Sequence, residues 1–245
     1  MSTALPAPAG TLDFGRCFTV VTDDPSWVKK ILIGGVFTLL CAILVGVPFV
    51  LGYFARTTRN VAEGVDRPLP DWDDLGGTFS EGLRLTAVYL LHVLGVMAVM
   101  GALGCLAMLP VMALGGARSH EDAAQAAGAL SGLAMVAVYG LTMLFSLALG
   151  VYLPSALVRV AMLGSVAEGF AWRENFAFIR ANLANYALAL VVGIVGGLMA
   201  QVGVLLCCVG VFPAAFWGHV AVAVALGQTL RLNPGAIERT PGFPA

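Results

Sequence analysis

Charge is scarce in this chain, and the charges that are present lie mostly outside its apolar runs. Only 11% of the residues are Asp, Glu, Lys or Arg, whereas 59% are hydrophobic. Soluble domains usually carry about 25% charged and about 45–50% apolar residues. The net charge of -1 gives no electrostatic basis for binding nucleic acid. The composition therefore excludes a separate soluble domain and predicts a polytopic helical membrane protein.

Patterns that carry catalysis or metal binding are also absent from the sequence. The five cysteines include no C-x-x-C pair, and the adjacent Cys207–Cys208 is predicted to pack as small apolar side chains. His120-Glu121 has no second histidine four residues on, and no phosphate-binding glycine loop occurs. The stretch Gly128-Ala-Leu-Ser131-Gly132 is one residue longer than the nucleophile signature of an intramembrane serine protease. We therefore expect no catalytic residue, no metal, no cofactor and no enzymatic activity.

Long apolar runs separated by polar turns are what the sequence does contain. Four of them are long enough to cross a hydrocarbon core of about 30 Å as helices rising ~1.5 Å per residue. These predicted spans are residues 83–113, 129–154, 185–207 and 210–231. Pro154 is expected to mark a kink because it lacks a backbone donor, and residues 155–183 are predicted to follow the inner membrane surface. Residues 12–21 carry apolar side chains at helical spacing, which predicts a further amphipathic helix at the interface.

The first apolar run, residues 31–54, admits two interpretations. Its 24 residues suffice for one span, but Gly46-Val47-Pro48 interrupts it, and the alternative is a re-entrant hairpin. Short cytoplasmic loops of membrane proteins collect lysine and arginine. A hairpin places 12 of the 13 basic residues in the cytoplasm and leaves only Arg118 outside, whereas a full crossing leaves nine inside. We therefore favour the hairpin, with both termini in the cytoplasm.

These segments predict an all-α fold, a polytopic transmembrane helical bundle with about four full spans, one re-entrant or kinked first hairpin and interfacial amphipathic helices. Asp24-Pro25 is expected to cap the hairpin's first helix, and the Trp27–Lys30 segment to anchor it at the interface. Residues 12–231 are predicted to form a single integral membrane domain, between a disordered tail at 1–11 and a flexible tail at 232–245. The lipid bilayer is the expected partner, in a bacterial inner membrane.

Two histidines and a glutamine interrupt the predicted spans, namely His92, His219 and Gln201. Ionisable residues inside a membrane are functional candidates, because burying them is costly. They could line a polar transport site, or the neutral imidazoles could make structural hydrogen bonds to one another, to Gln201 or to Tyr139. A proton relay usually uses carboxylates, and no Asp, Glu or Lys lies in the middle of a span. We therefore favour the structural interpretation.

Charge is concentrated in residues 52–83, which carry six of the 14 acidic residues. The candidates for a cytoplasmic docking loop are Arg56, Arg59, Asp71, Trp72, Asp73 and Asp74. Clustered carboxylates suit hard cations, but their spacing here fits no calcium loop. The favoured interpretation is a turn in which an Asp caps the next helix, Trp72 anchors at the interface, and the acids pair with the arginines.

One set of motifs carries a family resemblance. It comprises Asp24-Pro-Ser-Trp27-Val-Lys29-Lys30-Ile-Leu-Ile-Gly34-Gly35, Gly52-Tyr53 with Arg56 and Arg59, Leu69-Pro70-Asp71-Trp72-Asp73-Asp74 with Gly82, and more loosely Pro154, Asn182–Tyr186 and Gly218–Gln228. With these motifs the chain resembles, over about residues 12–231, the prokaryotic membrane family called domain of unknown function 4013. The resemblance implies a multi-pass membrane protein and brings no catalytic residues with it.

Two functional hypotheses follow from the sequence. The leading one is a non-enzymatic membrane scaffold or assembly partner that binds other membrane proteins or itself, and the alternative is a small-solute transporter or channel with a polar site near His92 and His219. The pairs Gly128/Gly132 and Gly193/Gly197 have close-packing spacing, which serves either contacts within one bundle, the favoured interpretation, or homo-oligomerisation. A polar cavity near the midplane would favour transport, and an exposed apolar groove would favour the scaffold.

Overall fold

The computed structural model describes residues 10–114, 121–205 and 209–237, which form eight α-helices and no strand. The helices are α1 Arg16–Thr22, α2 Trp27–Leu40, α3 Val47–Glu63, α4 Leu75–Leu114, α5 Glu121–Leu163, α6 Trp172–Ala181, α7 Leu183–Gly203 and α8 Val211–Leu232. The predicted all-α fold is confirmed, and α4, α5, α7 and α8 are each long and apolar enough to cross a membrane. Ser2, Arg118, His120, Arg239 and the Cys207–Cys208 pair lie outside the described residues.

The long helices extend beyond the predicted spans. Helix α4 begins at Leu75 rather than at residue 83, and α5 continues through Pro154 to Leu163, where Gly164 follows with φ +74°. A segment predicted to leave the membrane at residue 155 is therefore still helical. Pro154 has no backbone N–H to donate. The N–H of the next residue, Ser155, has a partner, because it donates to the Tyr186 hydroxyl at 3.0 Å. The predicted surface helix is α6, reached through a 3₁₀ turn at Val166–Phe170.

The first apolar run is a helical hairpin. Helix α2 is about 21 Å long at ~1.5 Å per residue, too short for a span, and a 3₁₀ turn at Cys41–Ile43 follows it. Phe37 of α2 stacks on Phe49 of α3 with ring centroids 4.3 Å apart. One turn further from the break, Gly34 and Tyr53 both lie against Phe216 of α8. The two arms therefore run antiparallel, as the hairpin interpretation requires.

The chain enters this hairpin through a sharp corner. Helix α1 is shorter than the predicted helix at residues 12–21, and it meets the segment Trp27–Ile43 at an angle of 107°. By length and composition, the two segments taken together are a fifth candidate span. Helix α2 begins two residues later than the predicted Asp24-Pro25 cap. The Asp24 carboxylate instead bridges the corner, accepting hydrogen bonds from the Ser26 N–H at 2.8 Å and the Ser26 hydroxyl at 2.7 Å.

Helix α8 is the central helix of its part of the fold, since α1, α2, α3 and α7 all pack on it. The contacts are close because small residues face one another. A Cβ atom on Gly196 of α7 would lie 2.7 Å from the Gly218 Cα, and one on Gly227 would lie 2.7 Å from the Thr58 carbonyl oxygen. Two helix backbones can approach this closely only where no side chain lies between them, so these glycines determine the spacing of the helices.

The crossing of α3 and α4 is closer still. A Cβ atom on Gly82 would overlap the carbonyl oxygen of Pro48, and one on Gly52 would overlap the carbonyl oxygen of Thr78. Both obstacles are backbone atoms, which cannot rotate away as a side chain can. The two helices are therefore in main-chain contact at this crossing, and neither position has room for alanine.

The chain divides into two compact units, residues 1–88 with 154–245 and residues 89–153. All helix contacts described above belong to the first unit. In the second, a Cβ atom at Gly128 or Gly132 would meet nothing within 4 Å, so the described residues fill neither position of that predicted glycine pair. The boundaries predicted for the membrane domain and its tails stay a prediction.

Candidate functional sites

A buried lysine fixes the segment 64–74, here called the elbow, which joins α3 to α4. Lys30 is only 5% exposed, and its Nζ lies 2.7 Å from Asp24 Oδ2, 3.0 Å from Asp71 Oδ1 and 2.8 Å from the Leu69 carbonyl oxygen. A buried ammonium is tolerated only when it is paired and hydrogen-bonded. Lys30 therefore ties the corner before α2 to the elbow; the sequence predicted an interface anchor, whereas the ammonium is buried within the protein.

The electrostatics of this Lys30 centre favour charged Asp24. Burial by itself would raise the pKa of the Asp24 carboxyl, but the hydrogen bonds from Lys30 and Ser26 outweigh that effect and hold the pKa below its usual range. The ion pair is thus maintained at neutral pH. It is a structural link, in which the ammonium donates to Asp24 Oδ2 and to the Leu69 carbonyl and forms an ion pair with Asp71.

Trp72 completes the link between elbow and hairpin. Its Nε1–H donates to the Lys30 carbonyl oxygen at 3.0 Å, and its ring stacks on Tyr53 with centroids 4.7 Å apart. Phe37 lies 4.9 Å away on the α2 arm and Phe216 lies 5.9 Å away on α8. The sequence assigned Trp72 to the lipid interface, whereas the half-buried ring joins four elements of the protein.

The other predicted docking residues form a second ion-pair group. Arg56 and Arg59 lie on α3, not on the loop; Arg56 contacts Asp74 at 2.8 Å, and both arginines reach Glu81 at 3.3 Å. Asp74 also accepts the Gly77 N–H at 2.8 Å, so it caps α4 as predicted, and the Arg56 hydrogen bond lowers the pKa of its carboxyl. Asp73 is exposed and has no ion-pair partner in the described part of the chain. Of the elbow's carboxylates, Asp71 and Asp74 are therefore paired with side chains of the hairpin arms.

The predicted intramembrane polar residues lie in different surroundings. His92 belongs to the second unit, is 8% exposed and lies 5.5 Å from the Tyr152 ring, while Tyr139 is largely exposed. His219 lies on α8 in the first unit, exposed, with Nδ1 2.7 Å from the Ala215 carbonyl oxygen. Gln201, near the end of α7, is also exposed, and within residues 10–114, 121–205 and 209–237 no hydrogen bond joins it to His219. The shared site of these three residues stays a prediction.

His219 lines an open groove formed by α7 and α8. The groove has a volume of about 270 Å³. It is lined almost entirely by small residues, namely Gly193, Gly196, Gly197, Ala200, Ala215 and Gly218, with His219 and Val222. Gly196 faces inward onto α8, whereas a Cβ atom on the adjacent Gly197 would meet nothing within 4 Å. The groove floor is thus close-packed and its mouth is open.

A side-chain clamp that the sequence did not predict holds residues 10–13 near the ends of α7 and α8. Asn185 Oδ1 accepts the Leu12 N–H at 3.0 Å and Asn185 Nδ2 donates to the Gly10 carbonyl at 3.1 Å. Gln228 Oε1 accepts the Asp13 N–H at 2.8 Å and Gln228 Nε2 donates to the Asp13 carbonyl at 3.2 Å. The only sequence signal was an amide inside each apolar run. Beside this clamp lies a second cavity of about 390 Å³.

A buried ion pair at the end of α5 was likewise not predicted. Arg159 and Glu168 pair directly, with side chains 2% and 3% exposed, and Asn175 Nδ2 donates to the Glu168 carbonyl at 3.1 Å. Arg59 adds a link from α3 through the Ala161 carbonyl at 2.8 Å. Among the residues that the structure describes, no group of three His, Cys, Asp or Glu is arranged to hold a metal ion.

Comparison with known proteins agrees with this architecture. No curated protein and no solved structure matches the chain significantly. The family described as protein of unknown function (DUF4013) matches residues 35–209, which include the hairpin's main break, the elbow and three of the four candidate spans. The Asp24–Lys30 motif and α8 lie outside that range. Since the match covers more than half of the sequence, this multi-pass α-helical membrane protein belongs to the DUF4013 family.

Proposed function

We propose that this protein is a non-enzymatic scaffold or assembly partner of the cell membrane, and that it binds a transmembrane helix of another protein in the groove on α7 and α8. The observation that carries the proposal is the groove itself, open to the outside, floored by small residues and bearing the exposed His219. Helix association in lipid depends on close van der Waals packing and interhelical hydrogen bonds, and the groove offers both.

The groove is shaped for a helix backbone. Small residues from α7 and α8 leave about 270 Å³ empty at a depth where lipid tails would otherwise lie. A helix carrying a small residue at its contact point can approach such a floor closely, whereas flexible acyl chains fill a narrow groove poorly. Gly197 supports this use, because a Cβ atom there would meet no atom of the protein within 4 Å.

His219 specifies the chemistry of the occupant. It lies eight residues into α8 and is exposed, and its single hydrogen bond among the described residues is to the carbonyl of its own helix turn. The second ring nitrogen of the imidazole costs free energy if it faces hydrocarbon without a hydrogen-bond partner. The expected occupant is therefore an apolar helix with a hydroxyl or amide side chain at the depth of His219. A transport site would need His219 to line a polar cavity, whereas the groove around it is lined by small apolar residues, which supports the scaffold over the transporter.

A leucine at Gly197 is expected to block the groove without disturbing the fold. Crosslinking in native membranes followed by mass spectrometry should recover a partner helix with the natural protein. Gly197→Leu should reduce that recovery about tenfold, which corresponds to about 1.4 kcal/mol of association. His219→Leu should reduce it about threefold, since interhelical hydrogen bonds in membranes average about 0.6 kcal/mol.

The matched control is Gly101→Leu on α4, where a Cβ atom likewise meets nothing within 4 Å. This variant adds the same side chain to another candidate span and should leave partner recovery unchanged. Recovery of monomer alone from the natural protein, or equal losses in Gly197→Leu and Gly101→Leu, would argue against the groove as the docking site.

The orientation that we propose places both termini and the elbow in the cytoplasm. In a cysteine-free background, single cysteines that replace Ser2, Arg67 and Arg239 should react with a membrane-impermeant thiol reagent only after the membrane has been permeabilised. A cysteine at Arg118 should be labelled in intact cells. Labelling of Ser2 and Arg67 from opposite sides would mean that the first hairpin crosses the membrane.

A further inference from the structure

The cavity beside the N-terminal clamp contains two arginines that take part in none of the ion pairs between described residues. Arg16 of α1 and Arg231 of α8 both line this space of about 390 Å³, and both are exposed. Neither has an acidic partner within 4.0 Å in the part of the chain that the structure describes. Among the described residues, Asp13 is the only acid that lines the cavity, and its Oδ1 accepts the main-chain N–H of Arg16 at 3.0 Å. The cavity therefore carries excess positive charge.

Thr11 and Gln228 also line the cavity, and the rest of its described wall is apolar. Val20, Val61 and Val224 line it from α1, α3 and α8, three helices that are packed together in the same unit. Arg231 lies in the last turn of α8, which is the end of a candidate span. Arginine at the end of a span is typical of the boundary between membrane and water. The cavity thus joins a cationic rim to an apolar wall where phospholipid headgroups lie.

We infer that this cavity binds the phosphate group of an anionic phospholipid, held between the guanidinium groups of Arg16 and Arg231, with an acyl chain against the valine wall. Guanidinium groups suit this role, because their planar fork donates two parallel hydrogen bonds to phosphate oxygens. An apolar wall of this extent would serve no purpose for a free phosphate ion, which is why the phosphate is assigned to a lipid.

Arg231 also has a competing structural role that the test must separate. Its guanidinium lies beside Gly64, the residue with φ +77° that ends α3, where a cation interacts favourably with the helix dipole. Lysine at position 231 keeps the positive charge for the helix end but loses the paired donors for phosphate. Comparing Arg231→Lys with Arg231→Gln therefore distinguishes helix capping from lipid binding.

The test is native mass spectrometry of the full-length protein titrated with dioleoylphosphatidylglycerol, with dioleoylphosphatidylcholine as the zwitterionic lipid. The natural protein should prefer phosphatidylglycerol. Arg16→Gln and Arg231→Gln should each weaken its binding about tenfold, as expected for the loss of a charge-assisted contact, and the double variant should lose the preference. Arg231→Lys should fall between, and Arg173→Gln, an exposed arginine of α6, should bind as the natural protein does.

Two results would overturn the inference as a whole, and a third would remove the contact proposed for Arg231. One is a double variant that retains the preference for phosphatidylglycerol while its melting temperature equals that of the natural protein. The other is displacement of the lipid by soluble glycerol phosphate at comparable concentration, which would assign the cavity to a water-soluble phosphate compound. If Arg231→Lys binds phosphatidylglycerol fully while Arg231→Gln both melts earlier and loses the lipid, Arg231 acts as a helix cap and the proposed phosphate contact is wrong.

Discussion

Replacing Gly82 with alanine is expected to cost at least about 3 kcal/mol of stability, at the upper end of what a single added methyl group costs in a packed interior. The new Cβ atom would occupy the position of the Pro48 carbonyl oxygen, so α3 and α4 have to move apart. That movement also opens the contact at Gly52 on the opposite helix and loosens the Arg56 and Arg59 pairs with Glu81. Thermal unfolding in detergent, followed by size-exclusion fluorescence, measures the loss.

The same helix provides the control for this substitution. A Cβ atom on the exposed Gly76 of α4 would meet nothing within 4 Å. Alanine favours helix over glycine by about 1 kcal/mol, so Gly76→Ala should be neutral or slightly stabilising. If Gly82→Ala unfolds at the same temperature as Gly76→Ala, the main-chain contact between α3 and α4 does not exist as described.

Removing the Lys30 ammonium is the second substitution expected to have a large effect. Lys30→Met leaves the Asp24 carboxylate, itself 5% exposed, without its cation, and breaking a buried pair in this way costs about 3–5 kcal/mol. The neighbouring Lys29 is exposed, so Lys29→Met should change stability by less than about 0.5 kcal/mol. Adding Asp24→Asn to Lys30→Met should restore part of the loss, because the amide is neutral and its oxygen can still accept the Ser26 N–H.

The pH dependence of the Lys30 effect has a defined sign. In the natural protein the pKa of Asp24 is lowered, so its contribution is complete above the ordinary Asp pKa of about 3.9 and is lost as pH falls through the folded value. In Lys30→Met the two Ser26 hydrogen bonds to Asp24 remain, but the hydrogen bond and the charge of Lys30 are lost, so the pKa of Asp24 rises relative to the natural protein and protonation relieves the buried charge. The stability difference between the two proteins should therefore be largest near pH 7 and should shrink toward pH 4, as unfolding curves at both values would show.

The sequence predicted the parts of this fold that depend on local pattern. Apolar length gave the four spans, and Pro48 together with the distribution of basic residues favoured the hairpin. The capping role of an Asp in the elbow followed from turn chemistry, and Asp74 performs it. Each of these features depends on residues close together in the chain, so the relevant physics is readable without knowing the tertiary contacts.

The features that could not be predicted depend on distant partners. Lys29 and Lys30 look equivalent in sequence, but only Lys30 meets the Leu69 carbonyl and Asp71, some 40 residues on. Gly196 and Gly197 are adjacent and identical, yet one contacts Gly218 and the other is open. The structural roles of Asn185 and Gln228 could not be predicted either, because an amide in an apolar span can hydrogen-bond any main chain that lies within reach. In each case the neighbouring helix, not the local pattern, determines the environment.

The clamp on residues 10–13 has a consequence for how the protein is made. The main-chain N–H groups of Leu12 and Asp13 donate to side chains 173 and 215 positions later. At a translation rate of about 5–20 residues per second, the early segment waits roughly 10–40 s for Gln228 to be synthesised. Throughout that interval α1, α2 and α3 lack the surface of α8 on which they pack. A nascent chain interrupted before Val211 therefore leaves its first hairpin uncovered in the membrane, open to insertion factors and to proteolysis, and the arrival of the last span is the event that closes the fold.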